Sequence, residues 1–388
     1  MCSVADILEG FLMQIKKEIL IDFIVTVFLV MCYSSNVFAE EEITRVTIFA
    51  ENLNLIEQTK MVKLDKGINR LIFGPVSKKI ILDSVYPQGE GCEFLEQEYV
   101  SDSLLSWKVR SEIEGETLLR VSYLATGLTW KLNYQVQVGR EAKFMDLSAW
   151  ANIENKSGVD FSYVYLTLAM ETFPEEVKGE SSEQKVKEEP SPQSFFPQHS
   201  FSYSIPYPVT LKDGEKKRIL LFSQPRIPVK KIFLFDGDRY GEEVREELMF
   251  ENSQESGLGD FLPSGEIYIY KINSEDKMVF VGKNILNQVL PQGKGSIYLG
   301  RAKGIKVEKV QTFYQQLESG EKEYSYIIVF YNFRDLPVKI KAVEHFYGEW
   351  EILESHPSDY VKADNFIIYE VEIPANGKQE IQYKARTK

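Results

Sequence analysis

The stretch with the clearest chemical spacing is Asp236-Gly237-Asp238-Arg239-Tyr240-Gly241, followed by Glu247. It sets carboxylates at the first and third positions, glycine at the sixth and glutamate at the twelfth, as a loop does when it wraps a hard cation such as calcium in oxygen ligands. Tyr240 stands where Asp or Asn is usual, Glu243 replaces an apolar residue, and residues 230–235 before it have the pattern of a strand. An Asp-Gly hairpin turn between two strands is therefore the better account. Asp236, Asp238 and Glu247 are the metal candidates, and calcium is the one cofactor this pattern admits.

A second gathering is Glu344-His345 with Glu354, His356 and Asp359 close behind. The only other imidazole is His199, and no HExxH or CxxC spacing supplies the three or four converging ligands that zinc takes. Glu344 and His345 are expected on a strand and its following turn, satisfied by solvent or backbone. No GxSxG elbow and no GxxxxGK[ST] phosphate loop occurs, and Gly293, Gly295, Gly300 and Gly304 are spaced as turn residues between short strands. A carboxylate pair for glycoside hydrolysis carries no distinguishing signal among 58 acidic residues. No catalytic residue is assigned.

Aromatic residues make up 13% of the chain, and Tyr268 and Tyr270 alternate with Ile267 and Ile269. Such a pair on the outer side of a strand could stack on sugar rings or grip an extended peptide, although strands also favour aromatics for packing.

The elements that must position these residues are strands. Leu132, Tyr134, Val136 and Val138 alternate with Lys131, Asn133, Gln135 and Gln137, and Val338, Ile340 and Ala342 alternate with Lys339 and Lys341. That is the period of a half-buried strand, and it recurs along nearly the whole chain. Residues 241–250 and 93–105 are the only stretches with a helical spacing. The expected fold is all-β, with tandem antiparallel, immunoglobulin-like sandwich units, because parallel sheets would call for helical crossovers. The segments 150–159 and 329–338 both run from a strand through a polar turn into another strand, as two related units would.

At the N-terminus, Lys16 and Lys17 precede a mostly apolar run over residues 23–33 that ends in Val37-Phe38-Ala39 before three glutamates. This has the form of a signal peptide over residues 1–39, too short for a comfortable span, with the mature chain starting at Glu40. Met31 before Cys32 argues against lipidation, and Asp22 against retention as an anchor. Cys92 is then the only cysteine of the mature chain, so no internal disulfide is expected.

A formal charge of -13, with no basic stretch interleaved with aromatics, excludes nucleic acid as a partner class. No later apolar run approaches a membrane span. Residues 174–204 are rich in Glu, Lys, Ser, Gln and Pro and are expected to be a disordered loop, with Phe195, Phe196 and Phe201 docking on the domain itself. The expected divisions are an N-terminal β region over 40–92, a central sandwich region over 93–305 and a C-terminal immunoglobulin-like sandwich over 306–388.

Four ordered blocks carry a family resemblance. They are Tyr123-Leu124-Ala125-Thr126-Gly127-Leu128-Thr129-Trp130, then Ser204-Ile205-Pro206-Tyr207-Pro208-Val209-Thr210-Leu211, then Leu262-Pro263-Ser264-Gly265-Glu266-Ile267-Tyr268 with Phe280-Val281-Gly282, and Asp335-Leu336-Pro337-Val338 running to Trp350. Over roughly residues 118–388 the chain resembles the bacterial mucoidy-inhibitor-A-like proteins, whose C-terminal part is domain of unknown function 4139. The resemblance implies an exported or envelope β-sandwich protein without established activity, and this chain lacks the coiled coil of longer relatives. The expected role is a non-catalytic binding or scaffolding protein, periplasmic or in the cell envelope, with an envelope protein or glycan as partner. The alternative is a carbohydrate-binding or glycan-hydrolysing envelope protein.

Overall fold

A computed structural model describes residues 42–101, 103–170 and 201–388. The predicted leader, Phe195 and Phe196 lie outside the described residues. What is described is nearly all β and falls into two compact units, which interleave along the chain instead of dividing at 92/93 and 305/306. The chain passes between them after residues 127, 155 and 213.

The first unit holds β1 (Thr44–Ile48), β2 (Asn54–Leu64), β3 (Gly67–Phe73), β4 (Tyr86–Gly89), β5 (Cys92–Ser101), β6 (Leu104–Ser111), β7 (Gly115–Ala125), β10 (Phe161–Ala169), β11 (Ser202–Ser204) and β12 (Val209–Leu211). One sheet runs β11-β10-β1-β2-β7-β4, with β12 also on β10, and a small sheet runs β3-β6-β5. The inward residues Val46, Ile48, Ile56, Val121 and Tyr123 are fully buried, each contributing about 1.5–3 kcal/mol of transfer free energy.

The second unit holds β8 (Leu128–Val138), β9 (Phe144–Asn155), β13 (Lys216–Pro228), β14 (Lys230–Asp236), the one-turn helix α1 (Gly237–Tyr240), β15 (Val244–Glu251), β16 (Gly265–Ile272), β17 (Met278–Leu286), β18 (Lys294–Arg301), β19 (Ile305–Gln316), β20 (Lys322–Asn332), β21 (Val338–His345), β22 (Trp350–His356), β23 (Val361–Lys362), β24 (Phe366–Ile373) and β25 (Lys378–Thr387). Its three sheets are β13-β9-β8-β16-β17, β18-β15-β14-β21-β24-β23 and β19-β20-β25-β22. The six- and four-stranded sheets share one core, in which Phe235, Ile340 and Tyr369 meet Val307, Phe330 and Ile381.

Several expectations are corrected. Residues 241–250 and 93–105 form strands instead of helices. Val244, Leu248 and Phe250 are buried at even spacings, so a separation of four that resembles a helical turn is equally two steps along one strand face. Strand β5 is exposed on both sides, and its glutamates pair across to Arg110, Lys108 and Arg70. The sheets are also mixed. β1 with β10, β8 with β16, and β14 with β21 are parallel, and among the described residues the crossovers that parallel pairing requires run through intervening strands with no helix longer than one turn. Finally, Ser202–Ser204, placed by sequence in the 174–204 loop, pairs with β10, and the Phe201 ring meets the Tyr203 ring edge-on at 4.8 Å.

The suggestion of related units extends to a complete internal repeat. Strands β1, β2, β7, β8, β9, β10, β12 and β13 have counterparts β14, β15, β18, β19, β20, β21, β24 and β25, in the same chain order. In each set the first strand is antiparallel to the second and parallel to the sixth. The second pairs with the third, the fourth with the fifth, the fifth with the eighth and the sixth with the seventh. Details repeat too. Asn155 and Asn332 end the fifth strands, each buried, with its backbone N–H donated into the turn before the eighth strand, at Glu215 and Gly377. Gly127 and Gly304 stand before the fourth strands at φ 97° and 74°, and each accepts a bond from the residue after that Asn. The hairpin β16–β17 is inserted between β15 and β18 of the second repeat, yet it pairs with β8 of the first.

Candidate functional site

The β14–β15 hairpin carries the sequence-predicted metal residues. Its turn is α1, capped by Asp236, whose Oδ1 accepts from the Arg239 N–H at 3.2 Å. The other oxygen of Asp236 lies 3.0 Å from His345 Nε2. Asp238 lies 3.8 Å from Lys309 Nζ. Glu247 is elsewhere on the sheet, buried, accepting from Arg245 Nε at 2.8 Å and from the Ser296 hydroxyl. The Arg245 guanidinium is itself held between the Tyr240 and Tyr298 rings at 3.9 and 3.8 Å. The three carboxylates thus serve three separate sets of donors, and among the described residues no three His, Cys, Asp or Glu side chains converge as a metal site.

Glu344 and His345 part company because neighbours on a strand point to opposite faces. His345 goes to Asp236, whereas Glu344 enters the sandwich core with its side chain 2% exposed. One Glu344 oxygen accepts from Lys309 Nζ at 2.7 Å and the Tyr383 hydroxyl at 2.5 Å, and the other has no hydrogen-bond partner among the described residues. This corrects the expectation of solvent or backbone partners. Burial drives the Glu344 carboxyl above the usual carboxylate range, against the pull of Lys309, and burial with the Glu344 charge drives the Tyr383 phenol upward. Sealed from solvent, Glu344 cannot hand a proton to a ligand. His356 and Glu354 are exposed on β22, apart from this core.

The internal repeat gives a reference for this triad. Lys309 lies opposite Ile328, four residues before Asn332, and its counterpart Leu132 lies opposite Ala151, four before Asn155. Tyr383 and Phe222 correspond in the same way, opposite Tyr326 and Ala149. Glu344 is two residues past Ala342, which faces Phe235, as Met170 is two past Leu168, which faces Ile48. The same pairing pattern therefore accommodates apolar residues at all three places. Sequence reasoning missed this triad although a signal was present: Ile305, Val307, Lys309 and Ile340, Ala342, Glu344 each put a charge on the apolar side of an alternation.

Tyr268 and Tyr270 lie where the alternation places them. Ile267 and Ile269 are fully buried, and the two tyrosines are half-buried on the opposite, outer face of the five-stranded sheet. Tyr268 adjoins Gln135 on one side and Lys283 on the other, with Lys283 Nζ 5.5 Å from its ring. Tyr270 adjoins Gln137 and packs on Phe280 at 5.6 Å. Further along the face Trp150 lies opposite Asn133, with the Arg218 guanidinium 4.3 Å from its ring. Its indole N–H, itself buried, has no hydrogen-bond partner among the described residues. Asn152 donates to Asn133, and Asn133 to Glu266 at 3.1 Å. Aromatic planes and amide dipoles side by side on an open sheet form a surface for contact and hydrogen bonding.

No helix among the described residues is long and apolar enough to cross a membrane. No curated protein matches the chain. Residues 119–388, more than two thirds of the chain, match the family model for Domain of unknown function (DUF4139), and the chain belongs to this family.

Proposed function

We propose that this protein is an exported, non-catalytic binding protein of the cell envelope, related within its family to the mucoidy-inhibitor-A-like proteins, and that it engages its partner with the five-stranded sheet. The observation that carries this reading is the outer face built by Trp150, Tyr268, Tyr270 and the amides between them. Strand β17 is the edge strand of this sheet, with Met278 and Phe280 exposed at its start and Asn284 donating to the Tyr298 carbonyl of β18 at 3.0 Å near its end. Such an edge can take an added strand. Export is supported by the basic and apolar leader, with Glu40 as the mature start.

The test is retention of solubilised envelope material by residues 40–388, with proteins and glycans both identified. A partner held by the native chain and lost with Tyr268→Ala/Tyr270→Ala supports the reading. Equal retention by both, or cytoplasmic accumulation of a chain carrying its intact leader, overturns it.

A further inference from the structure

The outer face of the five-stranded sheet has an uncharged centre. Asn133, Gln135 and Gln137 on β8, Ser148, Trp150 and Asn152 on β9, and Tyr268 and Tyr270 on β16 form one contiguous patch by register, with Lys131, Glu154 and Glu266 towards one end, Asp146 towards the other, and Arg218 and Lys283 on the flanking strands beside Trp150 and Tyr268. In a chain with 27% charged residues, a solvated sheet face is expected to carry Lys and Glu through its middle.

The internal repeat shows that the fold does not impose amides and aromatics there. At the corresponding places the second repeat carries Val310, Ser325, Ile327 and Val329 for Asn133, Ser148, Trp150 and Asn152, uncharged but without an amide or an indole, and ion pairs lie around them. There Glu323 is held by Lys384 at 2.8 Å and Arg386 at 2.7 Å, Arg386 reaches Glu351 at 2.9 Å, and Lys306 pairs with Glu308 at 2.6 Å. The inserted hairpin β16–β17 adds to the first repeat's face alone, and it brings Tyr268, Tyr270 and Phe280.

Resting on the binding reading above, we infer that this face is a binding site for a neutral, polyhydroxylated glycan. Each part suits that class of ligand. Amides both donate and accept, as sugar hydroxyls do, and the Gln135 and Gln137 amides make no side-chain hydrogen bond among the described residues. The aromatic group offers apolar planes to the C–H faces of pyranose rings. Tyr268 and Tyr270 are about 7 Å apart along β16, and the face from β9 to β17 is about 14 Å wide, room for a chain of several sugar rings. A polyanion would meet Arg218 stacked on Trp150 and Lys283 already paired with Glu266 at 2.6 Å, beside the carboxylates of Glu154, Glu266 and Asp146.

The experiment uses the full mature chain in native gels containing soluble neutral polysaccharides (a β-glucan, a xylan, a galactomannan, glycogen) and, separately, polygalacturonate. Retardation by at least one neutral polymer is expected. It should weaken by about tenfold or more in Tyr268→Ala/Tyr270→Ala and in Gln135→Ala/Gln137→Ala, and stay unchanged in Gln382→Ala on the corresponding face of the second repeat. Circular dichroism shows whether each variant keeps its fold, and a tyrosine pair that unfolds is replaced by Tyr268→Ser alone. No retardation by any neutral polymer, retardation by polygalacturonate only, or retardation that survives in folded variants overturns the inference. If neutral glycans fail while envelope retention still depends on Tyr268 and Tyr270, the ligand class falls and the binding reading stands.

Discussion

Replacing Lys309 with methionine isolates the energetics of the buried triad. The substitution keeps length and apolar bulk but leaves Glu344 with only the Tyr383 hydroxyl for a donor. Removing one partner of a buried ion pair costs about 3–5 kcal/mol. Lys309 is 18% exposed, so water reaches part of the vacated space and the lower end, about 3 kcal/mol, is expected at neutral pH. The pH dependence follows from the direction in which the carboxyl is displaced. Because burial raises Glu344 above its unfolded range, the folded state holds that proton more tightly. Its contribution is then complete in acid and is lost as pH rises from the ordinary carboxylate range through the raised folded value. Without Lys309 the carboxyl rises further, and the deficit of the variant relative to the native chain grows from acid to neutral pH. Urea unfolding at about pH 4 and about pH 7.5, each read as variant minus native, measures this directly. The triple substitution Lys309→Leu/Glu344→Met/Tyr383→Phe installs the first repeat's residues and should recover most of the loss, since a well-packed apolar replacement of a buried pair is often neutral or better. A cost below about 1 kcal/mol at both pH values, or a deficit larger in acid than at neutrality, would refute the account.

Other outcomes follow from the repeat and its turns. Gly127→Ala should lower the urea midpoint clearly more than Gly304→Ala, because a Cβ at Gly127 would lie 2.7 Å from the Lys156 carbonyl oxygen, while at Gly304 the nearest atom is the Arg334 side chain at 3.2 Å. Asn332→Ala should cost about 2–3 kcal/mol in the same assay, since its amide donates to the Leu336 and Pro374 carbonyls at 2.9 Å and its oxygen accepts from the Arg334 N–H. Burial raises the Cys92 thiol, so iodoacetamide should label it more slowly in the folded chain than in urea at neutral pH, with the gap narrowing in strongly alkaline solution. Equal rates at neutral pH would count against that microenvironment.

The all-β fold was legible because alternation reports a buried face directly, and the β14–β15 turn was legible because Asp-Gly punctuates hairpins. Pairing partners were less so. Nothing local in β8 announces that it lies beside β16, more than a hundred residues later, and the parallel sense of that pair is set by the path of the intervening strands. The helical spacing in residues 241–250 misled because Val244 and Leu248 satisfy both periods. For the candidate site, Tyr268 and Tyr270 were placed correctly on an outer face by parity alone. Their neighbours Trp150, Gln135 and Gln137 come from distant strands, and only the register assembles them. Glu344 and His345 show the opposite failure, since adjacency in sequence suggested one cluster where the strand period separates them into two.

The hairpin β16–β17 has a consequence for the history and handling of the chain. It arises inside the second copy of the repeat and is hydrogen-bonded to the first, along residues 133–138 of β8. Cleavage near residue 229 would therefore not release two self-sufficient halves: one fragment would keep β8 with residues 133–138 of its edge newly bared, and the other would carry a hairpin without its sheet. Bare edges of that length recruit other chains. Once such a graft existed, neither copy could be deleted or exchanged alone without creating an aggregating fragment, so the two are expected to be inherited together.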